Sequence, residues 1–157
     1  PLEDMRPVSR TARHFTPLLN NSLVRDLDDM KSYVAGRGMQ IVDARPKGRF
    51  EGTEPEPRPG LRSGHIPGSK SVPSATILNA DGTLKSQAEL EKIFRDAGID
   101  PLKPVVTTCG SGVTASMLSL ALSVLGQTNV AVYDGSWAEW GQESLGTPVE
   151  TGPAKSG

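Results

Sequence analysis

The sequence contains a single cysteine, Cys109, among its 157 residues. One cysteine cannot form a disulfide within the chain, and it excludes a metal site built from cysteine pairs. We expect neither a bound metal ion nor an organic cofactor. Because the chain does not rely on disulfides, a reducing compartment is the natural expectation, cytoplasmic in the first place and mitochondrial in the second.

Long apolar runs and an excess of one charge are also missing. The longest apolar region, Met117 to Leu125, is interrupted by serines and is shorter than the roughly 18 residues of a membrane span. The formal net charge is −1 and no basic run stands out, so we expect no nucleic-acid partner. The N-terminus lacks the charged and then apolar pattern of a secretory signal. Neither a membrane nor a nucleic acid is therefore expected as a partner.

Length and composition indicate one globular domain with much loop structure, because glycine (17) and proline (13) are abundant. Residues 1–20 show no sustained period and are predicted to form a linker or N-terminal arm. The folded, catalytic domain is predicted over residues 21–150, followed by a flexible tail over 151–157. The chain starts with Pro1 rather than Met, which fits a processed end or the edge of a piece of a longer protein.

Predicted strands and helices alternate, which favours an α/β domain with a mostly parallel sheet. Strands are predicted at 40–43, 69–73, 105–108 and 130–133. Helices are predicted from a cap at Asn21 or Ser22 to about Gly36, from the capping box Ser86–Glu89 to Gly98, at 114–125, and at 136–142. Residues 46–63 hold four prolines and three glycines and are predicted to be a long irregular loop.

Cys109 directly follows the strand at 105–108, and ligands of parallel sheets bind beyond the carboxyl ends of the strands. Gly110 and Gly112 let the backbone curl so that successive N–H groups point inward. Those groups and the positive end of the next helix favour an anion at the centre of the loop. A thiolate there would be stabilised, which predicts a nucleophile. The alternative is a buried cysteine before an ordinary strand-to-helix turn.

Other cysteine chemistries fit the sequence less well. A cysteine-based phosphatase needs an arginine six residues after the cysteine to hold phosphoryl oxygens, and Ala115 stands there. A papain-like protease needs a histidine base, and neither His14 nor His65 has a supporting context. A redox-sensing thiol stays open as an alternative, because an exposed thiol of low pKa also oxidises readily.

Four motifs together resemble one family. Residues 109–115, Cys-Gly-Ser-Gly-Val-Thr-Ala, resemble the active-site loop of the 3-mercaptopyruvate sulfurtransferases, in the rhodanese superfamily. Residues 48–58 resemble the family's substrate-arginine segment, 63–68 its Gly-His-Ile-Pro-Gly turn, and 133–140 its Tyr-Asp-Gly-Ser-Trp signature. The motifs occur in the family's order and cover roughly residues 20–150.

The resemblance implies a rhodanese-like domain: a parallel five-stranded sheet with helices on both faces. Since the residues alone indicate four strands, the fifth is expected in the first part of the proline-rich region. The family has two tandem rhodanese domains, and only the second carries the cysteine. The chain is similar to that second domain alone, so a missing N-terminal rhodanese domain is an expected partner.

The resemblance also implies an activity. Sulfur would pass from 3-mercaptopyruvate, through a persulfide on Cys109, to a thioredoxin-type thiol, a small dithiol or cyanide, with release of pyruvate. The implied catalytic residues are Cys109 and Ser111, and the implied substrate-binding residues are Arg49, Arg58, Gly110, Gly112, Val113 and Thr114. Without the resemblance, Arg45 and Arg62 look as available as Arg58.

Two further interpretations stay open. Thiosulfate sulfurtransferases resemble this sequence but carry two basic residues after the cysteine, where Gly110 and Ser111 are neutral. A thiosulfate donor is therefore expected to be the poorer one. The second open interpretation is a weakly active isolated domain, because the serine of the family works with an Asp and a His of the first domain.

His65 is expected to have a structural role in its turn.

Overall fold

The structure is a computed structural model and describes residues 16–18, 20–36 and 38–155. Most of the predicted N-terminal arm (1–20), His14 and the last two residues of the predicted tail lie outside the described residues. The strands are β1 (Val24–Arg25), β2 (Gln40–Asp43), β3 (Lys70–Ser71), β4 (Val105–Thr108) and β5 (Val130–Tyr133).

The five strands form one sheet in the order β1-β5-β4-β2-β3, and every neighbouring pair is parallel. The predicted α/β fold with a five-stranded parallel sheet is confirmed. β4 is the central strand, hydrogen-bonded to β5 on one side and β2 on the other. Its carboxyl end leads into Cys109, so the cysteine lies at the middle of the sheet edge where parallel sheets bind ligands.

The helices are α1 (Leu27–Val34), α2 (Lys47–Glu51), α3 (Gln87–Asp96), α4 (Val113–Val124) and α5 (Ser136–Trp140). The capping box predicted at Ser86 is confirmed, since Ser86 accepts from the N–H of Glu89 and the Glu89 carboxylate accepts from the N–H of Ser86. None of the helices in the described part of the chain is long and apolar enough to cross a membrane. The longest, α4, has 12 residues.

Helices cover both faces of the sheet, as expected. Neighbouring residues of β4 show the two faces, since Val105 belongs to one buried cluster and Val106 to the other. The first cluster packs α3 and α4 against the sheet, through Leu90 and Leu118 among others. The second packs α1 and α5 on the opposite face, and Trp137 and Trp140 are its largest members. β4 is therefore buried on both sides, which suits its run of apolar and β-branched residues.

The structure corrects the predicted start of the first helix. Helix α1 begins at Leu27 and is capped by Asp26, whose carboxylate accepts from the N–H groups of Asp28 and Asp29. Asn21–Leu23 form a short 3₁₀ turn instead. Val24 and Arg25 form β1 and pair with Val132 and Tyr133 at the sheet edge.

The prediction of the proline-rich region was also partly wrong. The fifth strand is β1 and does not lie there. Residues 46–63 contain helix α2, which starts after Pro46 and ends at Gly52, where φ is +78°. The remainder of the region is irregular, apart from an isolated bridge from Leu61 to Gln142. This short helix matters for the site because it carries Arg49.

Ser86→Ala is expected to lower the free energy of unfolding by about 1 kcal/mol, because it leaves the Glu89 N–H without its cap. Urea denaturation measures the change. Ser32→Ala is the matched control, since the Ser32 hydroxyl only bonds the carbonyl of Asp28 within α1. A loss in Ser86→Ala no larger than in the control would contradict the capping role.

Candidate active site

Cys109 lies buried at the head of the loop between β4 and α4, with 2% of its surface exposed. The N–H of Ser111 donates to its sulfur at 3.4 Å. The Thr114 hydroxyl and the N–H groups of Thr114 and Ala115 also act on the sulfur. Of the N–H groups of residues 110–114 that were expected to face the sulfur, those of Ser111 and Thr114 act on it, and Ala115 is a contributor that the sequence did not indicate.

Two opposing effects set the pKa of the Cys109 thiol. Burial raises it, while the hydrogen bonds from the Thr114 hydroxyl and the three backbone N–H groups lower it. The hydrogen bonds prevail, so the pKa lies below the ordinary value. Donors aimed at an anionic sulfur favour the thiolate. The hydrogen bonds around the sulfur therefore favour a thiolate, although the side chain is as buried as that of a structural cysteine.

The two glycines of the loop permit close approach by neighbouring groups. A Cβ on Gly110 would lie 3.0 Å from an Nη atom of Arg49, so the guanidinium rests directly on the loop. Gly112 has a φ of +81°, and a Cβ there would lie 3.0 Å from two oxygens of Asp134. Glycine is required at residue 112, because of its positive φ and the nearby backbone oxygen of Asp134, whereas a side chain at residue 110 would displace the Arg49 guanidinium.

A small cavity opens beside the loop, with a volume of about 130 Å³. Its lining residues are Arg49, Glu56, Pro57, Arg58, Leu61, Gly110 and Ser111. Drug-sized ligands occupy roughly 300 Å³ or more, so this space suits a molecule of only a few heavy atoms. Four of the predicted site residues, Arg49, Arg58, Gly110 and Ser111, are thus brought together around it. Gly112, Val113 and Thr114 lie on the loop and at the start of α4, and the Val113 side chain is exposed.

The two arginines of the cavity differ in their charge balance. Arg49 makes a two-pronged contact with the buried Glu56 carboxylate, Nε at 3.2 Å and Nη2 at 2.5 Å. Arg58 makes no ion pair with any residue in the described ranges at a distance of 4.0 Å or less. The cavity therefore holds one guanidinium whose charge is balanced and one whose charge is not.

A buried chain of ion pairs connects this cavity to the sheet. Arg45, 1% exposed, binds the Asp43 carboxylate at the end of β2 and the Glu56 carboxylate, at 2.7 and 2.8 Å. It also donates to the carbonyl of Gly64 and lies 4.3 Å above the ring of Trp137. Glu56 then holds Arg49. We call Asp43, Arg45, Glu56 and Arg49 the buried ion-pair chain.

These contacts separate arginines that the sequence could not distinguish. Arg45 is fully committed to the buried ion-pair chain. Arg62 donates to the carbonyls of Trp140, Gly141, Gln142 and Thr147 and so ties the end of the domain together. Neither is available to a ligand, which leaves Arg49 and Arg58 at the cavity.

His65 has the structural environment expected of it. Its ring stacks on Phe50 with centroids 3.9 Å apart, and Nδ1 lies 2.9 Å from the carbonyl oxygen of Phe50. Burial lowers its pKa, against opposing effects of that hydrogen bond and of the Glu150 carboxylate. In the described part of the chain, no group of three or more His, Cys, Asp or Glu side chains could hold a metal ion.

Comparison with known proteins identifies the family. The Rhodanese-like domain family matches residues 26–143. The chain belongs to the rhodanese family. It is 42% identical over 139 residues to 3-mercaptopyruvate sulfurtransferase of Mus musculus, covering 85% of this chain and 47% of the relative. With the enzyme of the same name from Escherichia coli K12 it shares 50% over 111 residues, covering 71% and 39%.

Thiosulfate enzymes and solved rhodanese structures match as well. Thiosulfate sulfurtransferase of Rattus norvegicus is 45% identical over 127 residues, covering 80% of this chain and 43% of the relative. The Tum1 protein of Saccharomyces cerevisiae superposes with a TM-score of 0.70 at 39% identity, covering 76% and 43%. An EanB variant with ergothioneine linked to a persulfide cysteine gives 0.76 at 27%, covering 85% and 33%. The rhodanese chain spans less than half the length of the curated relatives it matches.

Arg45→Met is expected to lower the free energy of unfolding of this rhodanese domain by about 3–5 kcal/mol, because Asp43 loses its buried partner and Glu56 one of two. Chemical denaturation measures the loss. In the control, Arg95→Met breaks the half-exposed pair with Glu91 on α3 and should cost about 1 kcal/mol or less. Similar losses in the two variants would contradict the role of the buried ion-pair chain.

Proposed function

We propose that this domain transfers sulfur from 3-mercaptopyruvate through a persulfide on Cys109 to a thiol acceptor, with release of pyruvate. The observation that carries the proposal is the cavity of about 130 Å³ in which Arg49, Arg58 and the cysteine loop meet. One wall carries two guanidinium groups, which suit a carboxylate, and the other is formed by Gly110 and Ser111 of the loop that begins at Cys109. Relatives named 3-mercaptopyruvate sulfurtransferase, at 42–50% identity, support the same donor.

The carboxylate of the donor is assigned to the two arginines. A guanidinium binds a carboxylate through two parallel N–H···O bonds, which fixes the orientation of the whole molecule. Glu56 already balances Arg49, so the charge available for the substrate comes from Arg58. The ketone end then lies near Arg49 and the thiol faces the cysteine loop.

The sulfur-transfer step needs no external oxidant. The Cys109 thiolate attacks the donor sulfur, a sulfur–sulfur bond forms, and the carbon–sulfur bond breaks with its electron pair going to carbon. The resulting enolate takes up the proton of the donor thiol and becomes pyruvate. Cys109 keeps the sulfur as a persulfide anion, which a thiol acceptor RSH removes as RSSH, restoring the thiolate.

The cysteine loop supplies the electrostatics of this step. The N–H groups of Ser111, Thr114 and Ala115 that act on the thiolate would also stabilise the persulfide anion. The Ser111 hydroxyl is assigned the proton of the donor thiol. Gly110, Gly112 and Val113 form the turn that gives these donors their direction.

The proposed acceptor is a thioredoxin-type thiol, a small dithiol or cyanide, because each of them can attack a persulfide. The proposed location is cytoplasmic, with a mitochondrial one as second choice; one relative, from Arabidopsis thaliana, is named as mitochondrial.

A second candidate is a domain of low activity that needs an N-terminal rhodanese domain. The chain covers only 34–47% of the length of the curated relatives. Val24 in the edge strand β1 and Leu23 directly before it are exposed to 51% and 52%. Exposed apolar side chains at a sheet edge suit a covering partner. If the domain alone turns over mercaptopyruvate as fast as the longer mouse enzyme, this candidate is wrong.

Exposure to 3-mercaptopyruvate is expected to increase the mass of the protein by one sulfur atom, in a form that a reducing thiol removes. Intact-mass spectrometry before and after the reductant measures the change. Cys109→Ser should show no increase, since a hydroxyl is a poor nucleophile at neutral pH. Absence of the added sulfur in the unmutated chain would refute the proposed function for this domain.

Arg58→Gln is expected to raise the mercaptopyruvate concentration for half-maximal sulfur loading of Cys109 by about tenfold or more, because it removes a charge-assisted bond to the carboxylate. Loading is followed by mass spectrometry over a substrate series. Arg95→Gln, on the surface of α3, is the control and should load normally.

The same series with thiosulfate tests the choice of donor. A dianion meets only one unbalanced cation in this cavity, so thiosulfate should load Cys109 less efficiently than mercaptopyruvate. Equal or better loading by thiosulfate would favour the alternative of a thiosulfate sulfurtransferase.

A further inference from the structure

Ser136, the first residue of α5, has a backbone conformation that serine rarely adopts. Its φ is +51°, and among the described residues it is the one residue other than glycine with a positive φ. Its side chain is completely buried. Positive φ strains a residue that carries a Cβ, and such strain persists where surrounding contacts over-determine the conformation. The contacts that hold Ser136 in this conformation therefore indicate its structural role.

Three hydrogen bonds join this turn to the cysteine loop. The Oγ of Ser136 accepts from the N–H of Cys109 at 3.2 Å. The N–H of Trp137 donates to the carbonyl of Cys109, and the N–H of Ala138 donates to the carbonyl of Gly110, both at 2.9 Å. We call these bonds the Ser136 clamp.

The serine hydroxyl is itself fixed from a second side. It donates to the carbonyl of Tyr133 at the end of β5, at 2.8 Å. Because β5 pairs directly with β4, the oxygen that accepts from Cys109 is anchored to the strand beside the one that carries the cysteine. The clamp is therefore held by the sheet rather than by α5 alone.

The clamp determines which way the next amide points. The carbonyl of Gly110 and the N–H of Ser111 belong to one planar trans peptide, so they point in opposite directions. Ala138 holds that carbonyl on the α5 side of the loop. The Ser111 N–H is thereby turned to the other side, where it donates to the sulfur of Cys109.

We propose that Ser136 is a positioning residue, which holds the Cys109–Ser111 backbone so that the Ser111 N–H faces the reacting sulfur. The inference rests on the proposed function only in taking Cys109 as the nucleophile. The Ser136 hydroxyl bonds backbone groups of Cys109 and Tyr133, and Ser136 is not one of the residues that line the cavity. It acts through the peptide planes of the loop.

The test is the pH dependence of Cys109 alkylation by iodoacetamide, followed by intact-mass spectrometry, which is unambiguous because the chain has one cysteine. In Ser136→Ala the hydroxyl is lost and the strained turn relaxes, so the midpoint of the profile should move up by about one pH unit. Ser136→Gly loses the hydroxyl but accepts a positive φ without strain, so it should fold and show a smaller upward shift.

The control is Ser123→Ala, an exposed serine of α4 whose hydroxyl bonds the carbonyl of Ser119. Its profile should match that of the unmutated chain. Arg49 at Gly110, Arg58 and Glu56 in the cavity and Asp134 at Gly112 are the same residues in every variant, so differences between the profiles report the clamp.

The outcomes separate this inference from the proposed function, because alkylation needs no sulfur donor. Midpoints in both Ser136 variants equal to that of the unmutated chain, even with a lower melting temperature, would make Ser136 purely structural and overturn the inference. Failure of the unmutated chain to load sulfur, with the shifts still present, would refute the proposed function and leave the clamp supported.

Discussion

The pairing of Arg45 with Asp43 and Glu56 is the interaction on which the arginine-lined wall of the cavity depends. Asp43 ends β2, so the charge of Arg45 is fixed to the sheet. Glu56 comes from the proline-rich segment, which has little regular structure of its own, and Arg45 anchors it. Unpaired charges in such a buried place are very costly, so the segment has few other arrangements available. Arg49 receives its position from Glu56.

The opposite wall is fixed by backbone groups rather than by charges. Hydrogen bonds from α5 hold the carbonyls of Cys109 and Gly110, and the loop directs its remaining N–H groups to the sulfur. The two walls meet where the Arg49 guanidinium lies against Gly110. Trp137 contacts both walls. Arg45 lies over its ring, and its backbone N–H donates to the carbonyl of Cys109. A shift in either wall is therefore transmitted to the other.

The sequence was sufficient where local signals decide the structure. β4 is an apolar, β-branched run and Ser86–Glu89 is a complete capping box, and both were predicted correctly. β1 could not be predicted in this way, because a two-residue strand exists only through its pairing with β5, more than 100 residues later. Asp26 outcompeted Asn21 and Ser22 as the cap of α1 once those residues entered a turn before β1.

In the candidate site, too, the sequence predicted the features set by local signals and missed those set by tertiary contacts. The position of Cys109 at a strand end, with glycines after it, was readable from the chain. The different partners of Arg45, Arg49 and Arg62 could not be predicted from the sequence. Three residues of one type in one loop give no indication of which carboxylate or carbonyl each will bind. Glu56 lay in the segment that resembles the family's arginine motif, and Ser136 lay in its Tyr-Asp-Gly-Ser-Trp motif. Only the fold reveals that one holds Arg49 and the other the cysteine loop.

Overall similarity does not decide the sulfur donor, since relatives named for mercaptopyruvate and for thiosulfate match this chain at comparable identity. The proposed choice of donor rests on the charges that line the cavity beside the cysteine loop. Glu56 cancels Arg49, and Gly110 and Ser111 add no charge, so Arg58 alone is left for the donor. A donor with one negative charge, such as 3-mercaptopyruvate, matches the single positive charge of Arg58. A dianion would bring a surplus negative charge beside the Cys109 thiolate, where partial burial weakens solvent screening. The same charge balance that stabilises the cavity wall thus supports the proposal of a keto-acid thiol, rather than thiosulfate, as the donor.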